Sequence, residues 1–230
     1  MDIRIARTDS ELAFCNHVCK WRHYLRTEIP PIARPMFYIL EHNGIPLGVF
    51  GFSIPQATHC GSWWGKNASI TKWQVVDMSR VWVSPLIQVG GYWAKPEIVP
   101  GRWVNGRYQP NTVTWAIGQI FKRIQEDWIA YWPPVELDKP YHIRLIISYH
   151  DPKYHNGAIY RALNATPMYT HKATGKPKTG SSKLYGYCWR LKLPRWHWWQ
   201  LDHLRPRNMR LPFENLEKPI NKKRKRKARV

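Results

Sequence analysis

The sequence predicts an α+β fold, a mixed α/β sheet with helices packed on it, and three observations lead there. Short apolar runs of strand length are punctuated by Asn-Gly pairs at 43–44 and 105–106, the strongest short-range hairpin signal. One segment, 111–128, instead repeats its apolar residues at helical spacing. The order is then helix, antiparallel strands, a long strand, helix, strand, helix, strand, which a single layered sheet accommodates.

Taken in order, residues 9 to 26 predict a helix. Asp9 or Ser10 can cap it, and Leu12, Cys15, Cys19 and the stretch Trp21 to His23 continue its spacing. "EIPPIARP" (28–35) breaks it. "MFYILEHN" (36–43) and "IPLGVFGF" (45–52) then form a hairpin about Asn43-Gly44. The next strand lies in "TKWQVVDMSRVWVSP" (71–85). Strict alternation puts Val76, Met78, Arg80 and Trp82 on one face and Val75, Asp77, Ser79, Val81 and Val83 on the other. Arg80 would thus sit on an apolar face, where a guanidinium needs an anion or a fixed set of acceptors, so both a ligand-facing and a structural role are open.

Residues 84–110 interrupt the rhythm. A Gly/Pro-rich loop, "PLIQVGGYWAKPEIVP", leads into the hairpin "GRWVNGRYQP", which together predict an inserted flap. Its Trp93, Trp103 and Tyr108 beside Lys95, Arg102 and Arg107 suit base stacking with phosphate contact, and suit packing of the loop on the body equally well. A helix follows from Asn111, with Val113, Ala116, Ile117, Ile120, Phe121, Ile124 and Trp128 as its stripe, and "YWPP" ends it. The strand "HIRLIISY" (142–149) and a short helix from Asn156 to Leu163 come next. A Gly/Lys/Ser connector (171–183) reaches the last strand, "LYGYCWRLKLP" (184–194).

The junction "SYHDPKYHNGAIYRALN" (148–164) is the most chemically loaded stretch. An apolar strand ends there in Ser, Tyr, His and Asp, at the carboxyl edge where open α/β sheets build their sites. It predicts an active-site rim; the alternative is that Asp151 caps the turn before Pro152 and Tyr160 is a core aromatic.

Charge bears on the partner. The 230 residues carry 36 Lys+Arg against 15 Asp+Glu, a formal +21, and seven of these charges (Lys222, Lys223, Arg224, Lys225, Arg226, Lys227, Arg229) crowd the last ten residues. Removing seven leaves +14 on the rest, so a polyanion, DNA or RNA, is the expected partner. Residues 1–195 are expected to form the catalytic domain with 84–110 as its flap, 196–220 a Trp/Arg-rich extension, and 221–230 a disordered basic tail. No apolar run reaches the ~20 residues of a membrane span, and the first residues lack a signal peptide's apolar core, so a cytoplasmic protein without a membrane partner is expected. Cys15, Cys19, Cys60 and Cys188 are too few and scattered for a disulfide framework. Cys15, His17, Cys19 and His23 lack the spacing of a zinc site, so no metal is expected and the thiols are assigned to helix packing.

Six segments together carry a resemblance: "HYLRTEIPP" (23–31), "LGVFGFSIP" (47–55), "VVDMSRVWVSP" (75–85), "NTVTWAIGQ" (111–119), "ISYHDPKYHNGAIYRALN" (147–164) and "LYGYCWRLKL" (184–193). In element order the chain resembles the GNAT acyltransferase fold, and in these segments the Mom family of DNA-modification proteins first known from bacteriophage Mu. The resemblance implies a transferase that places a carbamoylmethyl (acetamido) group on adenine N6 in DNA and so protects phage or mobile-element DNA from restriction. It implies catalytic roles for Arg80, Asp151, Tyr160, Thr114 and His23, with Asp151 as base or N6 orienter and Tyr160 as proton donor. Ser79, Tyr149, His155, Asn156, Asn111, Trp103 and Tyr108 are the expected substrate contacts, and Arg102, Arg107, Lys222, Lys223, Arg224, Lys225, Arg226 and Lys227 the expected DNA contacts.

One departure concerns the donor. GNAT enzymes resemble one another in a Q/R-x-x-G-x-G/A loop that holds a pyrophosphate at a helix N-terminus. Here the corresponding stretch reads "NGRYQPNTVTWAIG" (105–118), which speaks against acetyl-CoA and leaves an aminoacyl or other carrier as donor. Two other functions fit the same sequence: an acyl-CoA-dependent N-acetyltransferase acting on protein or a small amine, and a non-catalytic DNA-binding protein.

Overall fold

A computed structural model describes residues 1–55, 72–132, 143–151, 154–167 and 185–191. Cys60, Pro152, the 171–183 connector, the 196–220 extension and the basic tail, Lys222 to Lys227 included, lie outside the described residues.

The mixed sheet expected from the sequence is present. Its strands are β1 (Asp2–Ile5), β2 (Met36–His42), β3 (Ile45–Ser53), β4 (Val75–Val83), β7 (Leu145–His150), β8 (Thr166–Pro167) and β9 (Tyr185–Arg190), ordered β1-β2-β3-β4-β7-β9-β8. Among the described residues only β4 and β7 run parallel. The flap hairpin, β5 (Gly101–Val104) and β6 (Arg107–Pro110), forms a separate two-stranded ribbon. Both Asn-Gly pairs adopt positive φ (Asn43 49°, Gly44 77°; Asn105 49°, Gly106 72°), the twist that two-residue hairpins need.

Helix α1 (Asp9–Trp21) covers one face of the sheet and α2 (Thr112–Tyr131) the other. Thr8, not Asp9 or Ser10, caps α1. Its hydroxyl accepts the Glu11 N–H at 3.3 Å while the Glu11 carboxylate accepts the Thr8 N–H at 3.1 Å, a capping box. The helix stops at Trp21, five residues short of the predicted end. Cys15 and Cys19 fill its inner face against Phe37, Ile39 and Val49, and burial pushes their thiols up to about 12 and 11. On α2 the predicted stripe holds: Ala116, Ile117, Ile120, Ile124 and Trp128 are buried against Tyr38, Phe50, Phe52, Val76 and Ile146. Each of the large members contributes roughly 1.5–3 kcal/mol by leaving water. The flap is anchored by Ile87 and Val99, both within this core.

Two strands escaped the sequence reading, β1 because four residues carry too little periodicity and β8 because two carry none. The strict alternation along 75–83 is also corrected. Gly51 pairs with Arg80 while Phe52 pairs with Met78, so β4 holds one extra residue, Ser79. This β-bulge reverses the faces beyond it. Val76, Met78, Val81 and Val83 share the α2 side, and Arg80 and Trp82 turn to the α1 side. No described helix is long and apolar enough to cross a membrane.

Candidate active site at the carboxyl ends of two parting strands

Strands β4 and β7 pair over only three positions, Val75 with Leu145, Val76 with Ile146 and Asp77 with Ile147. Beyond them the Ser79 bulge disrupts the ladder, and a side chain takes over. The buried Ser148 hydroxyl donates to the Met78 carbonyl at 2.9 Å. In the gap lies a cavity of about 100 Å³ whose lining mixes Met78, Ser79 and Val81 of β4 with Ser148 and Tyr149 of β7. His23 and Tyr24, which follow α1, line it too, as do His155 to Tyr160 around the start of α3 (Ala158–Ala162). Parting parallel strands leave backbone and side-chain groups facing a crevice at their carboxyl ends, the general position of α/β sites.

Tyr160 is the best-fixed polar group here. Its ring stacks on Tyr187 (centroids 4.3 Å apart, planes 9° apart) and on His150 (5.4 Å). Its hydroxyl lies 3.0 Å from the Tyr149 carbonyl and 3.2 Å from the Ser148 oxygen. Ser148 and Tyr160 bring two protons to three oxygen contacts, so only two can be hydrogen bonds at once. Burial pushes the Tyr160 phenol up to about 12, with the Ser148 contact opposing it, so Tyr160 holds its proton throughout the neutral range.

The two histidines differ. His23 is 7 % exposed, and its Nδ1 accepts the Leu25 N–H at 3.2 Å. Burial, then the charges of Arg80 and His155, lower its pKa to about 3. A neutral imidazole that accepts at Nδ1 carries its proton on Nε2, so His23 is a hydrogen-bond donor here and not a base. His155 lies on the solvent side of the cavity. Burial lowers its pKa while Asp151 opposes the shift, so it is neutral at physiological pH with a lone pair to offer. Tyr24 joins the two, 4.4 Å from the His23 ring and edge-on to His155 at 4.9 Å, and stacks on Tyr154 at 5.1 Å.

Of the residues expected in the site, His23, Ser79, Tyr149, His155, Asn156 and Tyr160 come together around this cavity. Asn156 also braces the turn, since its Oδ1 accepts the Ala158 N–H at 3.0 Å, at the entry to α3. Gly157 beside it has φ of 71°, and a Cβ there would come within 3.0 Å of the Tyr187 hydroxyl, so the turn is built for glycine. Asp151 does not line the cavity. It is 6 % exposed, and its backbone carbonyl accepts the Tyr154 and His155 N–H groups at 3.0 Å each, closing the turn through the main chain. Its carboxylate reaches the site through its field on His155.

Arg80 stands behind the lining. Nε donates to the Thr27 carbonyl (3.2 Å), Nη2 to the Thr27 hydroxyl (2.7 Å) and Nη1 to the Ser79 carbonyl (2.7 Å), so the guanidinium ties the segment after α1 to the bulge. Thr114 and Asn111 lie at the start of α2, outside the cavity lining. Trp103 and Tyr108 line a different hollow, an open one of about 480 Å³ with Pro96, Ile98, Val99 and Trp115, which shares no residue with the cleft. The Tyr108 hydroxyl is committed to the Val99 carbonyl. Arg102 and Arg107 belong to the same ribbon.

Ser148 opens the expected rim without an individual role, and Tyr24 is not among the expected contacts; both line the cavity. The alternation of β7 carried the signal for Ser148, because Ile146, Ser148 and His150 must share a face. For Tyr24 no local pattern existed; it enters through the turn after α1.

No protein-family model matches the sequence, and no curated protein matches it. Among solved structures the chain is similar to the ribosomal-protein-S18-alanine N-acetyltransferase of Escherichia coli at 9 % identity, with 84 % of this chain and 96 % of that one covered and a TM-score of 0.47. It is similar to the ribosomal-protein-alanine N-acetyltransferase of Brucella melitensis at 13 % identity, covering 83 % and 100 %, with a TM-score of 0.47. A GNAT superfamily phosphinothricin acetyltransferase from Sinorhizobium meliloti, solved with AcCoA, is 12 % identical over 83 % and 89 %, with a TM-score of 0.45.

Proposed function

We propose that the chain is a group-transfer enzyme of the N-acyltransferase type, joining a small acyl group to an amine in the cleft between β4 and β7. The observation that carries this reading is the protonated Tyr160 hydroxyl, within hydrogen-bond reach of the Tyr149 carbonyl, lining the same crevice as a neutral His155. Attack of an amine on a carbonyl carbon forms a C–N bond, breaks the bond to the leaving atom, and requires one proton to leave the nitrogen and one to reach the leaving atom. His155 takes the first. Tyr160 gives the second, and solvent returns the proton from His155 to Tyr160 between turnovers. The His23 Nε2–H is a fixed donor for an oxygen in the cleft, and Arg80 holds the turn that carries His23. Asp151 supports His155 by its charge instead of touching the substrate.

A cavity of about 100 Å³ has room for roughly three waters, hence for a transferred group of a few heavy atoms. Acetyl-CoA, when bound, supplies such a group as an activated thioester. The cleft fits that end of the donor. The segment ahead of α2 is the β5–β6 ribbon and not a glycine-rich phosphate loop, so the residues supporting the carrier portion are left open.

A second reading is favoured by charge. The excess of 21 positive charges suits an amine carried on nucleic acid, and adenine N6 in DNA, modified with an acetamido group, is the acceptor the Mom resemblance implies. The deciding experiment takes purified chain with labelled acetyl-CoA and amine acceptors, alongside nucleoside mass spectrometry of DNA from expressing cells. Label on a free amine or peptide with unmodified adenine supports the first reading. A mass shift on adenine supports the second, and neither product refutes both.

A further inference from the structure

We propose that the β5–β6 ribbon enters the major groove of double-stranded DNA with Arg102, Arg107 and Gln109 turned toward the base edges. The two faces of the ribbon are chemically opposite. Cross-strand pairs are Gly101–Pro110, Arg102–Gln109, Trp103–Tyr108 and Val104–Arg107, so period-two alternation puts Gly101, Trp103 and Tyr108 on one face and Arg102, Val104, Arg107 and Gln109 on the other.

On the first face Tyr108 packs inward, while Trp103 stays 65 % exposed. Tyr108 reaches back over Gly101, where a Cβ would fall 2.6 Å from its ring and 2.5 Å from the Gln109 carbonyl, and bonds the Val99 carbonyl in the core. Glu97, whose field the Tyr108 hydroxyl feels, belongs to that side. The second face keeps Arg102, Arg107 and Gln109 exposed. Residues 101–110 include no acidic side chain, and among the described residues neither arginine forms an ion pair. A guanidinium pair held on a short, rigid, twisted ribbon and left without counter-charge is complementary to a polyanion.

Size decides which polyanion. The strands of a two-stranded ribbon stand ~5 Å apart. A ribbon of that kind enters the B-DNA major groove, about 12 Å wide, without deforming it, whereas the minor groove, about 6 Å, would first have to be opened. Arginine and glutamine are the side chains that bond guanine and adenine bidentately there. Since Trp103 and Tyr108 line a hollow apart from the cleft, the ribbon would position a duplex while chemistry occurs elsewhere. The inference rests on the reading of DNA as the acceptor.

The test is fluorescence anisotropy of the full chain on short duplexes of differing sequence, and on one strand of each, across a salt series. Variants are Arg102→Ala/Arg107→Ala, Arg102→Lys/Arg107→Lys and Gln109→Ala, each checked for parental melting. The Ala pair should lose tenfold or more in affinity for the preferred duplex and with it the sequence preference, while the salt slope, set by phosphate contacts elsewhere, stays near parental. The Lys pair should recover part of the affinity without the sequence preference, since a point charge cannot make the bidentate contact. Gln109→Ala should relax sequence preference alone. Methyl green, a major-groove ligand, should compete, and the minor-groove ligand distamycin should not. Parental duplex affinity in the Ala pair, equal losses on single strand and duplex, or competition by distamycin alone would overturn the proposal. Groove binding without adenine modification would sink only the reading of the acceptor, and modification with no ribbon effect only the ribbon.

Discussion

Replacing His23 by Asn should flatten the acid limb of this protein's stability. His23 is buried, and its pKa falls from the ordinary 6.5 to about 3. The unfolded chain therefore binds a proton below pH 6.5 that the folded chain refuses until about pH 3. The sign follows: the contribution is complete above pH 6.5 and is lost as the pH falls toward 3. At pH 5 the unfolded imidazole is protonated and the folded one is not, a penalty of about 2 kcal/mol at ~1.4 kcal/mol per pH unit. At pH 7.5 it is close to zero. Asn keeps an oxygen able to accept the Leu25 N–H, so the variant loses the titration while retaining that bond. Asp77, whose carboxyl burial raises to about 6, acts in the opposite sense over the same range, as do other groups. These are common to both proteins and cancel in the difference. Urea unfolding at pH 7.5 and pH 5 is the assay: the parent should lose about 2 kcal/mol more than the variant between the two. Equal losses, or a His23 that titrates near 6.5 by NMR, would show that the ring is solvated and would refute the donor assignment.

Three further outcomes are expected. Tyr160→Phe should lower kcat for transfer by about a hundredfold or more with little change in melting, because it removes the proton donor and leaves the aromatic stack intact; kcat within a factor of two of parent would remove Tyr160 from the chemistry. Transfer to an acceptor that does not itself titrate should rise with pH through a His155 pKa lying below the usual histidine range and show no fall before pH 10, and His155→Gln should abolish that limb; an unaltered profile in the variant would assign the base elsewhere. Gly101→Ala should destabilise by about 1–3 kcal/mol, because the new Cβ would lie 2.5 Å from the Gln109 carbonyl, whereas Gly118→Ala, with nothing within 4 Å, should be neutral or stabilising in chemical unfolding.

What the sequence determined by itself is local. The stripe of α2, the two Asn-Gly hairpins and the strand that ends in Ser148 to Asp151 are written in periodicities of 3.6 and 2 and in turn chemistry, which neighbours in the chain set among themselves. From these the mixed sheet and its polar strand end were legible, and Tyr160, His155 and Asn156, which line the candidate cavity, came with the motif that starts α3. Tertiary structure decided the rest. Whether Arg80 faces the α1 or the α2 side turns on one bulge residue, Ser79, which exists only through the register of β4 against β3. Asp151 sits in the loaded motif, yet the turn that its backbone carbonyl closes leaves it outside the cavity lining. Tyr24 and His23 reach the site from far away in sequence, across the sheet, because the parallel pairing of β4 and β7 ends after three positions. Pairing register and the parting of strands are sums over distant partners, and no window of the sequence contains them.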